Sequence, residues 1–307
     1  MLDRRNFIKN TTAVSAYTLF LSQLIGCKTG QKLAIAADAP YNMKYLSKNV
    51  GYFTERGGTI GWMASKDGIV IIDTQFPEQS NNLLAEIAII DGGKVDALIN
   101  THHHGDHTAG NIVYKELTDN IIAHTNSKKN QMASAAQRGT EDKQLYPNTL
   151  FDKDYKLSVG DEVITMKYYG AAHTDGDIIT HFQKANVVHM GDLIFNRRFP
   201  YIDKSAGANI ANWVSVLDKA DKQYPTDAKF IFGHSDNGYE VIGTKEDIKA
   251  FKNYLEKLLI LGEQAVKAGK SLEELKANTI VIPGAEEWTG KGIERSLDAI
   301  FVELKAS

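Results

Sequence analysis

The chain has 307 residues, 43% of them hydrophobic and 24% charged, with a formal net charge of −3. That length can bury a sizeable core, as one large domain or two small ones, and the composition is that of an ordinary soluble globular protein. The charge excludes an evident nucleic-acid surface: no Lys/Arg stripe with interleaved aromatics is present, and because residues 1–27 hold Arg4, Arg5 and Lys9 against Asp3, the rest carries −5.

The N-terminus reads as an address. Arg4, Arg5 and Lys9 precede a mildly apolar segment, residues 12–25, whose end overlaps the run Leu24, Ile25, Gly26 and Cys27. A basic region, an apolar region and a small residue, in that order, make an export signal. The apolar part is too short and too rich in Ser and Thr to span a bilayer. The arginine pair resembles a twin-arginine signal, departing from it at Asp3 and Ile8. Leu-Ile-Gly-Cys resembles a lipoprotein processing site, with Cys27 as the lipidated residue. The expectation is an exported, membrane-anchored lipoprotein facing the periplasm or cell surface. Cys27 is the only cysteine, so the body holds no internal disulfide and no thiolate metal ligand.

Residues 28–45 are polar and small and read as a tether. Two apolar runs, 59–64 and 69–72, flank Asp67-Gly68, a hairpin signal. Asp73 closes the second run. A helix is expected from Pro77 to about Ile90, with Leu83, Leu84, Ile87 and Ile90 at helical spacing, stopped by Asp91-Gly92-Gly93. Residues 95–99 read as a buried strand. A short helix over 109–117, a strand over 120–124, a polar helix over 126–138 and an irregular loop over 139–152 follow. Strands are expected at 155–159, 163–169, 178–182 and 186–190, then a loop over 192–207, a helix over 208–222 and a strand over 229–232. From Lys245 the tail is helical, with shorter helices at 272–276 and about 293–304. This rhythm predicts two similar halves stacking as two sheets with helices outside.

The chemistry concentrates directly after the 95–99 strand. His102, His103, His104, Asp106 and His107 give His-x-His-x-Asp-His spacing, and four of the chain's nine histidines fall within these six residues. Neutral imidazole suits borderline metals such as zinc, and a carboxylate adds a hard, charged ligand. Three more positions have matching character: His173, Asp192 and His234 each lie just past an expected strand and beside glycine or a turn residue. Strand ends converge on one rim, and glycine beside a ligand lets the backbone approach closely.

Together these residues resemble the metallo-β-lactamase superfamily over roughly Asn49 to Lys267. Asp73 matches its first motif, a carboxylate that supports a ligand. His102, His104, Asp106 and His107 match the second, and His173, Asp192 and His234 the third, fourth and fifth. The resemblance implies an α/β fold, the αβ/βα four-layer sandwich, as a core over 46–244 with a helical C-terminal extension, 245–307, packed on it. It implies two divalent metal ions, zinc favoured, iron or manganese tolerated. His102, His104 and His173 would hold one, Asp106, His107 and His234 the other, and Asp192 would bridge both. His103 is expected to point away. His124, His181 and His189 are read as structural, with His189 near enough to support a ligand.

Such a pair of ions would activate a bridging hydroxide against a carbonyl or phosphoryl centre, with Asp106 orienting it and moving its proton. The resemblance places a thiol or hydroxyl residue at position 192 in true metallo-β-lactamases, whereas a bridging aspartate is usual in thioesterases, lactonases and phosphodiesterases. The leading reading is therefore a dinuclear hydrolase of a small ester, thioester, lactone or amide. Alternatives are weak β-lactam hydrolysis, a mononuclear iron dioxygenase of the same superfamily, and a non-catalytic metal-binding surface lipoprotein. Asn196, Arg197 and Arg198 are candidates for meeting an anionic substrate through guanidinium forks. The partners expected are a small-molecule substrate and, through Cys27, a membrane.

Overall fold

The structure, a computed structural model, describes residues 40–90 and 94–305. The expected signal with Cys27, and residues 28–39 of the expected tether, lie outside them.

The first sheet has seven strands in sequence order: β1 (Asn42–Tyr45), β2 (Val50–Thr54), β3 (Ile60–Ser65), β4 (Gly68–Ile72), β5 (Val95–Ile99), β6 (Ile121–His124) and β7 (Thr149–Phe151). β1 to β4 are antiparallel, and β4 to β7 are parallel. Two departures from the sequence reading lie at its edges. Residues 42–45, assigned to the tether, form β1; only Met43 turns inward, so an edge strand that is polar on three of its four positions looked like a linker. The loop 139–152 ends in β7, whose three residues are too few to show a period.

The second sheet holds β8 (Asp154–Val159), β9 (Glu162–Tyr168), β10 (Ile178–Phe182), β11 (Val187–His189), β13 (Lys229–Ile231) and β15 (Ile242–Gly243), in the order β15-β13-β11-β10-β9-β8. A separate two-residue ladder joins β12 (Phe195–Asn196) to β14 (His234–Ser235). The two large sheets meet face to face. Val50, Met63, Val70, Ile72, Ile99 and Ile122 from the first pack with Ile164, Met166, Ile178, Phe182, Val187 and Ile231 from the second.

Helices cover the outsides, which makes four layers. α1 (Pro77–Ile90) buries Leu83 and Ile87, as its spacing predicted. The short α2 (Gly105–Thr108) runs into a 3-10 turn, Ala109–Tyr114, in place of the single helix expected there. α3 (Thr125–Arg138) starts at His124, whose Nδ1 accepts from Asn126 N, and ends at Gly139 in the left-handed region. On the other side lie α4 (Ile210–Gln223), α5 (Lys245–Lys267), α6 (Leu272–Ala277) and α7 (Ile293–Lys305). Their apolar faces form one cluster with Val188 and Phe230 of the second sheet and Phe232 just past β13, and it contains the buried Trp213, Phe251, Tyr254 and Trp288. α5 carries a capping box, Thr244 with Asp247, where the tail was expected to begin.

Candidate metal centre

β4 runs parallel to β5 in the first sheet and β11 parallel to β13 in the second, so within each pair the C-terminal ends deliver side chains to one rim. β5 hands over to the histidine loop at Asn100, which is buried and exchanges hydrogen bonds with Asn111 at 3.1 and 2.8 Å. That pair fixes the loop before it enters α2, where Asp106 and His107 sit. His173, Asp192 and His234 arrive from the second sheet's side. Glycine permits the closest approach: a Cβ on Gly233 would lie 1.9 Å from Asp192 Oδ1, and one on Gly58 would lie 2.0 Å from the His107 ring.

Two donor clusters take in the expected ligands: His102, His104, His173 and Asp192, and beside them Asp106, His107 and His234; a third grouping, His103, His104 and Asp203, shares His104 with the first. In the first, His104 Nδ1 lies 3.1 Å from His102 Nε2 and 2.9 Å from His173 Nε2. Asp192 Oδ2 is 3.8 Å from His102 Nε2, 3.5 Å from His173 Nε2 and 3.4 Å from His234 Nε2, while Oδ1 is 3.0 Å from His107 Nε2. Asp192 therefore faces both clusters. In the second, Asp106 Oδ2 lies 3.2 Å from His234 Nε2 and 3.8 Å from His107 Nε2.

The far side of each ring shows which nitrogen is free to bind. Asp73 accepts from Thr101 N at 2.8 Å and Thr101 Oγ1 at 2.7 Å, and its Oδ2 lies 2.7 Å from His107 Nδ1. With its proton given to Asp73, Thr101 Oγ1 accepts from His102 Nδ1, 3.0 Å away. Asp73 thus sets the tautomer of one histidine in each cluster and turns both Nε2 lone pairs inward. Asp203 does the same for His104, whose Nε2 is 2.9 Å from Asp203 Oδ2, so Nδ1 faces the cluster.

Electrostatics agree. Burial pushes His102 well below the ordinary imidazole range and His173 down to about 3, so both rings are neutral donors. Burial opposes charge on His107 as well, but Asp192, Asp106 and Asp73 raise it well above that range. His234 is raised against burial by Asp192 and Asp106. Burial would push Asp192 up, yet His234 and His107 hold it well below the carboxylate range.

Lone pairs facing one another at 2.9–3.1 Å repel unless a cation lies between them, and buried carboxylates need positive charge. His173 Nδ1 is buried without a hydrogen bond among the described residues. Nitrogen and oxygen donors without sulfur, spaced about as neighbouring ligands around one small ion, fit divalent cations.

Other sequence candidates fall elsewhere. Asn196 is buried, and its Nδ2 donates to Glu240 O. Arg197 pairs with Asp247 at 2.8 Å and Glu287 at 3.6 Å and lies over the Trp288 ring. Asn196 is thus tied to the loop before β15, and Arg197 to α5 and to the loop that precedes α7. Arg198 does line the cleft, with His104, Asp106, Asp192, Tyr201, His234 and Arg295. His103 turns from both clusters toward Asp203, 3.5 Å away. His124 caps α3 and stacks on Tyr168, and His189 lies 3.1 Å from Thr59 O. Sequence reasoning missed Thr101, Asp203, Tyr201 and Arg295. The only local signal was Asp203 before Ser205, an Asx cap that the structure contains.

The family model described as the metallo-beta-lactamase superfamily matches residues 53–234. The chain belongs to that superfamily. Among curated proteins it is 24% identical over 202 residues to metallo-beta-lactamase type 2 of Elizabethkingia meningoseptica, covering 62% of this chain and 74% of the relative. It is 23% identical over 198 residues to metallo-beta-lactamase IND-1 of Chryseobacterium indologenes, covering 64% and 80%. Among solved structures, a double mutant of the sec-alkyl sulfatase PisA1 superposes with a TM-score of 0.66 at 14% identity, covering 82% of this chain and 49% of the sulfatase. The chain thus spans about half the sulfatase's length. A metallo-beta-lactamase from Pontibacter korlensis gives a TM-score of 0.57 at 17% identity, covering 70% of this chain and 99% of that one. At these identities the superpositions show the fold alone.

Proposed function

We propose that this chain is a dinuclear metal-dependent hydrolase of a small ester, thioester, lactone or amide. The observation that carries the reading is Asp192, buried and facing both donor clusters. His102, His104 and His173 would hold one ion, Asp106, His107 and His234 the other, with Asp192 shared and zinc the favoured metal. When bound, the ions supply an acidified water and polarise the scissile carbonyl. The chain's own groups do the rest. Asp106 is ionised: burial would raise it, but the His107 and His234 charges hold it below the carboxylate range. Its side chain is 34% exposed, so it reaches the cleft and can orient the attacking water and take its proton. Asp73 and Asp203 keep the rings aimed.

Metal analysis with a hydrolase panel of lactone, thioester, phosphodiester and β-lactam, run with a chelator control, tests this reading. Absence of bound metal, together with activity unchanged in His102→Ala, would sink it. The two lactamase relatives support a second reading, β-lactam hydrolysis; aspartate at position 192 weighs against an efficient one. We also read residues 1–27 as an export signal and Cys27 as lipidated. A membrane-fraction protein whose N-terminal peptide carries a lipid mass on Cys27, and a soluble Cys27→Ser variant, are the expected results; an unmodified Cys27 in exported protein would end that reading.

A further inference from the structure

The cleft at the donor clusters is a cavity of about 270 Å³ whose lining joins His104, Asp106, Asp192 and His234 to Arg198, Tyr201 and Arg295. The two arginines come from distant parts of the chain. Arg198 follows β12. Arg295 lies in the first turn of α7, so the C-terminal helical region contributes directly to the site. Both are exposed, and among the described residues neither guanidinium forms an ion pair with a carboxylate. Arg197 is the contrast: one position away, it is paired with two acids and packed on an indole.

Arg295 is also placed. A Cβ on Gly292 would stand 2.7 Å from its Nη2, so the guanidinium lies back over that glycine, whose φ is +116°. Tyr201 lines the same cavity, with its ring 5.3 Å from the His104 ring and its hydroxyl under the influence of Arg295. Arg198 further lines the adjoining cavity beside His234 and Gly233. Two unpaired planar cations lining one cavity make a receptor for an oxyanion, since guanidinium binds carboxylate, sulfonate or phosphate oxygens through paired N–H groups.

We infer that Arg198 and Arg295 form a clamp for a second anionic group on the substrate, remote from the bond that is cleaved. The inference rests on the hydrolase reading for what lies at the donor end, and it narrows the substrate to a small molecule with an oxyanion at its far end.

Succinate and butyrate, the same length and differing in one carboxylate, make the test. Calorimetry on the zinc-loaded chain is expected to show succinate binding roughly tenfold more tightly, the size of one charged hydrogen-bonded contact. The difference is expected to shrink with added salt and to vanish in R198Q/R295Q while zinc content and butyrate affinity stay unchanged. Equal affinities in the wild type, no succinate binding, or a preference that survives in R198Q/R295Q each overturn the clamp. A failed hydrolase panel with the succinate preference intact would instead remove the hydrolase reading and leave the clamp standing.

Discussion

At the scale of single residues, the site depends on groups that never need touch a metal. Asp203 fixes the His104 ring through one contact at 2.9 Å and also caps the following turn through Ser205 N and Ala206 N. Asp203→Asn preserves the cap but removes the charge that favours the Nε2–H tautomer. Zinc affinity, read by chelator competition, is expected to fall roughly 10- to 100-fold with the fold retained; unchanged affinity would show that His104 needs no such partner. A second expectation concerns pH. A proton and a cation compete for the same lone pairs, and His107 and His234 hold their protons above the ordinary imidazole value. Zinc affinity should therefore decline as pH falls through those raised values, with proton release on binding above the sum for ordinary imidazoles. Isotherms between about pH 6 and about pH 9, in two buffers of different ionisation enthalpy, measure both. A flat profile would mean the carboxylates do not keep those rings protonated.

At the scale of elements, local signals were legible and long-range docking was not. The hairpin at Asp67-Gly68, α1, the β5 strand and the histidine loop were readable because each is specified within about ten residues by period, turn chemistry and caps. The donors His173, Asp192 and His234 were readable because a polar group past a strand end beside glycine is itself local. Tyr201, Asp203 and Arg295 were not. Their places depend on where the 192–209 segment runs and on how α7 docks against α5, and neither periodicity nor spacing encodes that. The pairing of Arg197 was not legible for the same reason: its partner Asp247 lies in α5, fifty residues on. The glycine reading carries its own test. Gly233→Ala puts a methyl 1.9 Å from Asp192 Oδ1 and 2.9 Å from Gly191 O, so strand and ligand must part; Gly105→Ala, in the histidine loop, meets nothing within 4 Å. Metal content by elemental analysis is expected to collapse in Gly233→Ala and to hold in Gly105→Ala. Overpacking of this kind typically costs about 1–3 kcal/mol, so urea unfolding should separate the two as well. Equal metal content in both would mean that the close approach of β14 to Asp192 is not needed.

At the scale of the whole molecule, the two ends of the sandwich are closed differently. At the end away from the site, Gly68 lies against Val159 and Gly160 against Asp67, so hairpins of the two sheets interlock directly. At the site end, cross-sheet backbone bonds run from Thr59 N to Gly233 O and from Ile178 N to Thr101 O. Between them stands the ring of donors, in which the ring nitrogens of His102, His104 and His173 face one another at 2.9–3.1 Å. His102, His104, Asp106 and His107 belong to the first sheet's side, and His173, Asp192 and His234 to the second's. A cation bound by both sets is therefore a clasp between sheets as well as a reagent. Ligand at a thousandfold above its dissociation constant stabilises by about 4 kcal/mol. For a domain of this size, chelation is then expected to lower the melting temperature on the order of 10 °C. The loss should also be local. Amide exchange ought to quicken at residues 100–107, 173–177 and 191–193 while the Asp67 and Gly160 hairpins keep their protection. Uniform loosening along both sheets would mean that the core between them, and not the donors, carries the metal's effect. No change on chelation would mean that the cross-sheet backbone bonds hold the site end closed by themselves.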